Sequence, residues 1–161
     1  MDRADIAWAD ADGSFKYRAA AVIHDGDRLL VSTVEHIDGW FLPGGKVHFG
    51  EASAAALVRE LREELQLEVS VSGAPLLITE GIHAEGGTLY QEVCFYYVVS
   101  WPDAIPPESV TDQGAHRFRW IRRADLASVR LLPPEIAPTI VQALTGGSTE
   151  LRHLAFDRRN R

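Results

Sequence analysis

The sequence predicts an α/β fold in which helices flank a mixed β-sheet. Three observations carry this reading. A hairpin pattern runs from Tyr17 to Val34, apolar residues recur at helical spacing between Glu51 and Gln66, and a long apolar run extends from Leu89 to Ser100. The 161 residues are enough for about one domain. At 46% hydrophobic and 24% charged, the chain has the apolar content to bury a core and is not a disordered or collagen-like polymer.

Residues 1–16 are polar and acidic and are expected to form an irregular arm or a short edge hairpin. A single domain is expected over 17–157, with a solvated basic tail at 158–161. Asp10-Ala11-Asp12-Gly13 has the look of a calcium loop, but Trp8 and Ala19 stand where its first and last ligands belong, so it reads as a turn. Tyr17 to His24 and Arg28 to Val34 are strands joined by the turn Asp25-Gly26-Asp27. Trp40-Phe41-Leu42 then meets the breaker Pro43-Gly44-Gly45.

The helix from Glu51 to Gln66 carries Ala54, Leu57, Val58, Leu61 and Leu65 on one stripe. Val69 and Val71 suggest a short strand, Leu76 to Ile82 another, and Leu89 to Ser100 a long one that reads as buried on both faces. Trp101 to Gly114 is a loop and Phe118 to Ile121 a strand. Pro133-Pro134 introduces a helix from Glu135 to Leu144, Gly146-Gly147 ends it, and Leu151 to Phe156 is expected to return to a sheet edge.

Sixteen Lys plus Arg against twenty-three Asp plus Glu gives a net charge of −7. Such a protein does not track a nucleic-acid backbone by charge alone, so any phosphate it handles needs positive charge from elsewhere. The single Cys94 excludes an internal disulfide and a four-cysteine zinc site, and its apolar strand marks it as a core thiol. The longest apolar runs, such as Ala19 to Ile23, are too short to cross a bilayer. Met1 to Tyr17 has no apolar signal core, so the expected location is cytoplasmic.

The chemistry concentrates between Gly45 and Leu67. At 100° per residue, Glu60, Glu63 and Glu64 fall within an arc of about 100° on the helix flank beside the apolar stripe. Small Ala56 lies between them on the wheel and leaves room for an approaching group. Carboxylates this close repel one another unless a cation binds or some hold protons. Hard oxygen ligands at this density suit Mg²⁺ or Mn²⁺, and the metal then supplies the charge that an anionic substrate needs. The competing reading is a solvated glutamate-rich face, with pairs such as Arg59–Glu63 worth ~0.3–0.5 kcal/mol. The Pro-Gly-Gly bend just ahead of the helix weighs against it.

This stretch resembles the Nudix box, the signature of hydrolases acting on nucleoside diphosphates linked to another moiety. The match covers Gly45, Glu51, Arg59, Glu60, Leu61, Glu63, Glu64 and Leu67, and departs once, with Gln66 in place of the family's Gly. The order of elements from Tyr17 to Leu144 also resembles the family's α/β/α sandwich. A Gly at that helix end commonly takes the left-handed conformation, so Gln66 either costs ~1 kcal/mol there or ends the helix differently.

The resemblance implies that Glu60, Glu63 and Glu64 hold Mg²⁺ or Mn²⁺ with the carbonyl of Gly45, and that Arg59 orients a catalytic carboxylate. Glu51 would tie the preceding loop to the box. Gly44 and Gly45 would turn backbone towards metal or pyrophosphate, with Lys46 and Trp40 as further substrate-binding candidates. The implied reaction is attack of a metal-activated water on a phosphorus of a nucleoside di- or triphosphate derivative. The general base is either a box carboxylate, with Glu60 and Glu63 as candidates, or a later-loop residue, where Glu108 and Asp112 stand. A non-catalytic nucleotide sensor is the alternative reading. The window Ile82-His83-Ala84-Glu85 shows neither the Pro nor the Tyr of the family's named substrate subclasses, so no particular nucleotide is indicated. A homodimer formed through the N-terminal hairpin is left open. The six histidines are scattered and read as surface or hydrogen-bonded residues.

Overall fold

A computed structural model describes residues 3–103, 107, 110, 112, 114–147 and 150–160. Eight strands are defined among them: β1 (Ala7–Ala9), β2 (Ser14–Asp25), β3 (Arg28–Val34), β4 (Gly44–Lys46), β5 (Leu77–Glu85), β6 (Thr88–Val99), β7 (His116–Arg122) and β8 (Arg152–Asp157). The helices are α1 (Ser53–Leu65) and α2 (Ala137–Leu144), with 3₁₀ segments at Arg123–Ser128 and Pro134–Ile136.

The sheet runs β7-β3-β2-β6-β5-β8, with β1 and β4 attached to β2. It is mixed, because β2–β6 and β5–β8 are parallel while the other pairs are antiparallel. One edge of β2 is paired to β6 from Ser14 to Ile23. Its other edge is shared: Ser14 to Lys16 pair with β1, Arg18 to Ala20 with β4, and His24 and Asp25 with β3. This division lets the glycine bend at β4 sit in the middle of the sheet rather than at its rim.

Alternation along β2 sends side chains to two cores. Ala19, Ala21 and Ile23 join Val47, Tyr97 and the α1 residues Ala56, Leu57, Leu61 and Leu65. Ala20 and Val22 join Leu77, Cys94, Tyr96 and the α2 residues Ile140 and Leu144. The sheet is therefore covered by one helix on each face, as expected. No helix of the described residues is long and apolar enough to cross a membrane.

The N-terminal hairpin forms through a turn in which Asp10 Oδ1 accepts the backbone N–H groups of Asp12 and Gly13 at 2.9 and 3.2 Å. β2 begins at Ser14, upstream of the expected Tyr17. Three other expectations change. Val69 and Val71 form no strand; they pack half-buried against the α1-side core without a sheet partner. The late helix becomes regular only at Ala137, since Pro138 has no N–H to donate back to Pro134, and the turn before it is 3₁₀. β6 is not buried on both faces throughout: Val98 is 41% exposed, on the face that carries the buried Cys94 and Tyr96.

Candidate active site

Helix α1 presents its carboxylates in three different environments. The Glu60 side chain is 15% exposed and accepts a hydrogen bond from Arg59 Nη1 at 2.8 Å. Glu63 is 58% exposed and lies 3.4 Å from the same Nη1. Glu64 turns inward and is buried, with Oε1 3.4 Å from Nδ1 of His116 at the start of β7. Its other oxygen, Oε2, is buried and has no hydrogen-bond partner, and nor does His116 Nδ1. Burial, reinforced by the neighbouring Glu60 charge, pushes the Glu64 carboxyl up to about 7, against the opposing pull of the Gly44 N–H and Arg18.

Ala56, expected to leave space beside the carboxylates, is instead fully buried against the sheet. What approaches the carboxylates is the bend of β4. A Cβ on Gly45 would collide with the Glu60 carboxylate, and one on Gly44 with the backbone of Ala19 and Ala20. Only glycine lets the bend come this close.

Arg59 fastens helix to bend. Its Nε and Nη2 bond Glu51 Oε1 and Oε2 at 3.1 and 3.0 Å, and Nη2 also donates to the carbonyl of Lys46 at 2.9 Å. Glu51 Oε2 in turn accepts the N–H of His48 at 3.1 Å. Arg59 beside it, with the His48 N–H, holds the Glu51 carboxyl below the usual range. Gln66 adopts the left-handed conformation (φ 56°, ψ 29°), with its N–H bonded to Arg62 O, so α1 ends as it would at glycine.

The side chains of Lys46 and Trp40 are engaged elsewhere. Lys46 Nζ is paired with Asp5 at 2.6 Å, and Trp40 packs half-buried on the α2-side core with the Arg119 guanidinium 6.0 Å from its ring. Glu108 lies outside the described residues, while Asp112 receives the N–H of Phe118 at 3.2 Å. Cys94 is buried, and burial pushes its thiol up to about 12, which leaves it unreactive.

A cavity of about 310 Å³ opens on the α2 side of the sheet, lined by Arg18, Phe41, His83, Glu92, Phe156 and Arg158 among others. Arg18 links it to the bend, with Nη2 3.4 Å from the carbonyl of Gly44 and Nη1 3.6 Å from Glu92. Sequence reasoning missed this wall and His116 alike, since neither belongs to a local motif. It also put Arg158 in a solvated tail, whereas the Arg158 N–H extends the β5–β8 ladder to Ile82 O and its side chain meets Glu135.

The model of the NUDIX domain matches residues 15–143, most of the chain. This chain belongs to the Nudix family. A Mycobacterium tuberculosis relative named "Putative 8-oxo-dGTP diphosphatase 2" is 32% identical over 96 residues, 60% of this chain and 62% of that one, so the match spans under two thirds of the relative's length. Among solved structures, a Burkholderia pseudomallei protein described as a MutT NUDIX hydrolase is 25% identical, with a TM-score of 0.60 over 76% of this chain and 95% of that one. A Bacillus halodurans mutator MutT protein shares the Nudix fold at 15% identity, with a TM-score of 0.63 over 88% of this chain and 90% of that one.

Nudix hydrolases in general use divalent metal ions, and the donor set here fits one. Among the described residues, no three His, Cys, Asp or Glu side chains converge into a cage. Mg²⁺ needs no such cage, since it binds through few carboxylates and completes its shell with water and substrate phosphates. The buried, unpartnered Glu64 oxygen and the Glu60 carboxylate seated over Gly45 are donors of that kind.

Proposed function

We propose that this Nudix protein is a metal-dependent pyrophosphohydrolase that cleaves a nucleoside di- or triphosphate derivative by attack of water on phosphorus. The observation that carries the proposal is the buried Glu64 carboxylate, which keeps one oxygen unpartnered beside Glu60 and the glycine bend. Leaving a buried carboxylate half-satisfied costs on the order of 1–3 kcal/mol, which a ligand at that oxygen would offset.

Glu60, Glu63, Glu64 and the carbonyl of Gly45 would hold Mg²⁺ or Mn²⁺. The bound cation supplies positive charge to the pyrophosphate oxygens of the substrate. Arg59 orients Glu60 through its Nη1 hydrogen bond while Glu51 anchors Arg59 from behind. The water is deprotonated by a box carboxylate, Glu60 or Glu63, with Glu108 of the later loop as the second candidate. Gly44 and Arg18 bring backbone and a guanidinium to the edge of the α2-side cavity, where the rest of the nucleotide would lie. Lys46 serves this edge only if its pair with Asp5 opens, and Trp40 supports it from the core. The name of the mycobacterial relative favours a nucleoside triphosphate, oxidised ones included.

A panel of nucleoside diphosphate derivatives and triphosphates incubated with Mg²⁺, with release of phosphate, pyrophosphate or nucleotide followed, tests the reading. Turnover that requires the metal and disappears in Glu60→Gln and Glu64→Gln supports it. Full activity in those variants overturns the site. Silence on every substrate, together with a melting shift from one nucleotide, makes the protein a nucleotide-binding sensor instead.

A further inference from the structure

Strand β8 lies beyond residues 15–143, the span matched by the family domain, yet it forms one wall of the 310 Å³ cavity. It pairs in parallel with β5 from Leu77–Arg152 to Ile82–Asp157, which sets Phe156 opposite Gly81. The two residues are fitted to each other. A Cβ at Gly81 would come within 2.6 Å of Cε2 and Cζ of the Phe156 ring, so the ring rests directly on bare backbone at the cavity floor. The Arg158 guanidinium lies 5.1 Å from the centre of that ring. Its Nε is 3.5 Å from Glu135 Oε1 and is buried without a hydrogen-bond partner.

The other two arginines of the cavity are engaged, Arg18 with the Gly44 carbonyl and Arg130 with Asp38 at 2.8 Å. Among the described residues Arg158 therefore keeps an unpartnered N–H donor, held in place by a ring and a carboxylate. Glu85 and Glu92 line the same cavity, so its charge is mixed rather than anion-seeking. Phe41, His83 and Phe156 add flat surface. Aromatic faces, a guanidinium and carboxylates together match a planar heteroaromatic ring with both acceptor and donor edges, and the volume lies at the small end of ligand sites.

We propose that β8 recognises the nucleobase of the substrate, with Phe156 as its apolar platform and Arg158 donating to an acceptor on the base edge. The proposal rests on the hydrolase reading above but concerns specificity residues rather than the chemistry. The test compares wild type, Arg158→Ala, Phe156→Ala and Gly81→Ala on nucleoside triphosphates and on tripolyphosphate, which has no base. In parallel, calorimetry without metal measures binding of nucleoside monophosphates against ribose 5-phosphate.

Expected is a rise of about tenfold in KM for nucleotides in all three variants, with kcat within about threefold. Wild type should bind a monophosphate more tightly than ribose 5-phosphate, and Arg158→Ala should remove that preference. Gly81→Ala keeps every side chain of the wall and only lifts the ring, so it guards against a trivial loss of packing. Unchanged KM and unchanged monophosphate binding in the variants, with hydrolysis intact, overturn the base-recognition assignment alone. Equal losses on tripolyphosphate and nucleotides also overturn it, by showing that Arg158 contacts phosphate. Failure of the hydrolase reading is distinct: wild type then turns over nothing, while the metal-free binding comparison still decides the role of β8.

Discussion

The guanidinium of Arg59 grips the carboxylate of Glu51 at two points, 3.1 and 3.0 Å, across the bend that leads into α1. The same group reaches Glu60 and the carbonyl of Lys46, so one side chain fixes the helix, the bend and a carboxylate of the site. Lysine has the charge but not the planar fork. Arg59→Lys should therefore destabilise the protein by about 2 kcal/mol and lower turnover at least tenfold, read by thermal melting and initial rates. Unchanged melting and rate would mean that the pairing is decorative.

Glu64 predicts an unusual pH response. In the metal-free protein its carboxyl is pushed up to about 7 from an ordinary value of 4.5, so the folded state holds the proton more tightly than the unfolded state. The associated stability is fully present below about pH 4.5 and is lost as the pH rises through 7, by up to about 3 kcal/mol. Glu64→Gln cannot ionise. In EDTA it should melt above wild type at pH 8, with the gap closing towards pH 5, although it loses hydrolysis. A gap independent of pH would remove Glu64 as the group that titrates.

Gly45 has a role that alanine cannot fill. A Cβ there must displace the Glu60 carboxylate, and the backbone at Gly45 is outside the left-handed region that would itself strain a side chain. Gly45→Ala is expected to cost roughly a hundredfold in kcat through misplacement of Glu60, with a folded circular dichroism spectrum retained. Near-wild-type rates would show that Glu60 has room to spare.

Gln66 holds a left-handed backbone that glycine adopts without strain. Gln66→Gly should stabilise by ~1 kcal/mol, a melting shift of roughly 2–4 °C for a chain of this size, with kcat within about twofold. Loss of stability would mean that the exposed side chain contributes something not visible in its contacts.

Much of this site was legible in the sequence because its logic is local. Glu60, Glu63 and Glu64 share a helix with the residues that dock it, and Gly45 precedes them at a fixed distance. The wheel did not reveal which carboxylate turns inward, since that depends on His116 of β7 and the bend of β4, which reach the helix only through the sheet. Ala56 shows the same limit: its small size was read as room for a ligand, whereas it is the sheet that fills the space. The cavity wall at Gly81, Phe156 and Arg158 was illegible for a stronger reason. Those residues meet only through the parallel pairing of β5 with β8, and no spacing within either strand announces it.

The central claim is that the buried Glu64 oxygen and Glu60 hold a divalent cation used for phosphoanhydride cleavage. Electron paramagnetic resonance of Mn²⁺ titrated with protein, in the presence of a non-hydrolysable nucleotide, tests it most directly. Expected is that wild type depletes the free-ion signal at near-stoichiometric ratios beyond what the nucleotide alone removes, that Glu60→Gln and Glu64→Gln do not, and that Mg²⁺ competes. Equal extra depletion by these two variants, or none by wild type, would contradict it.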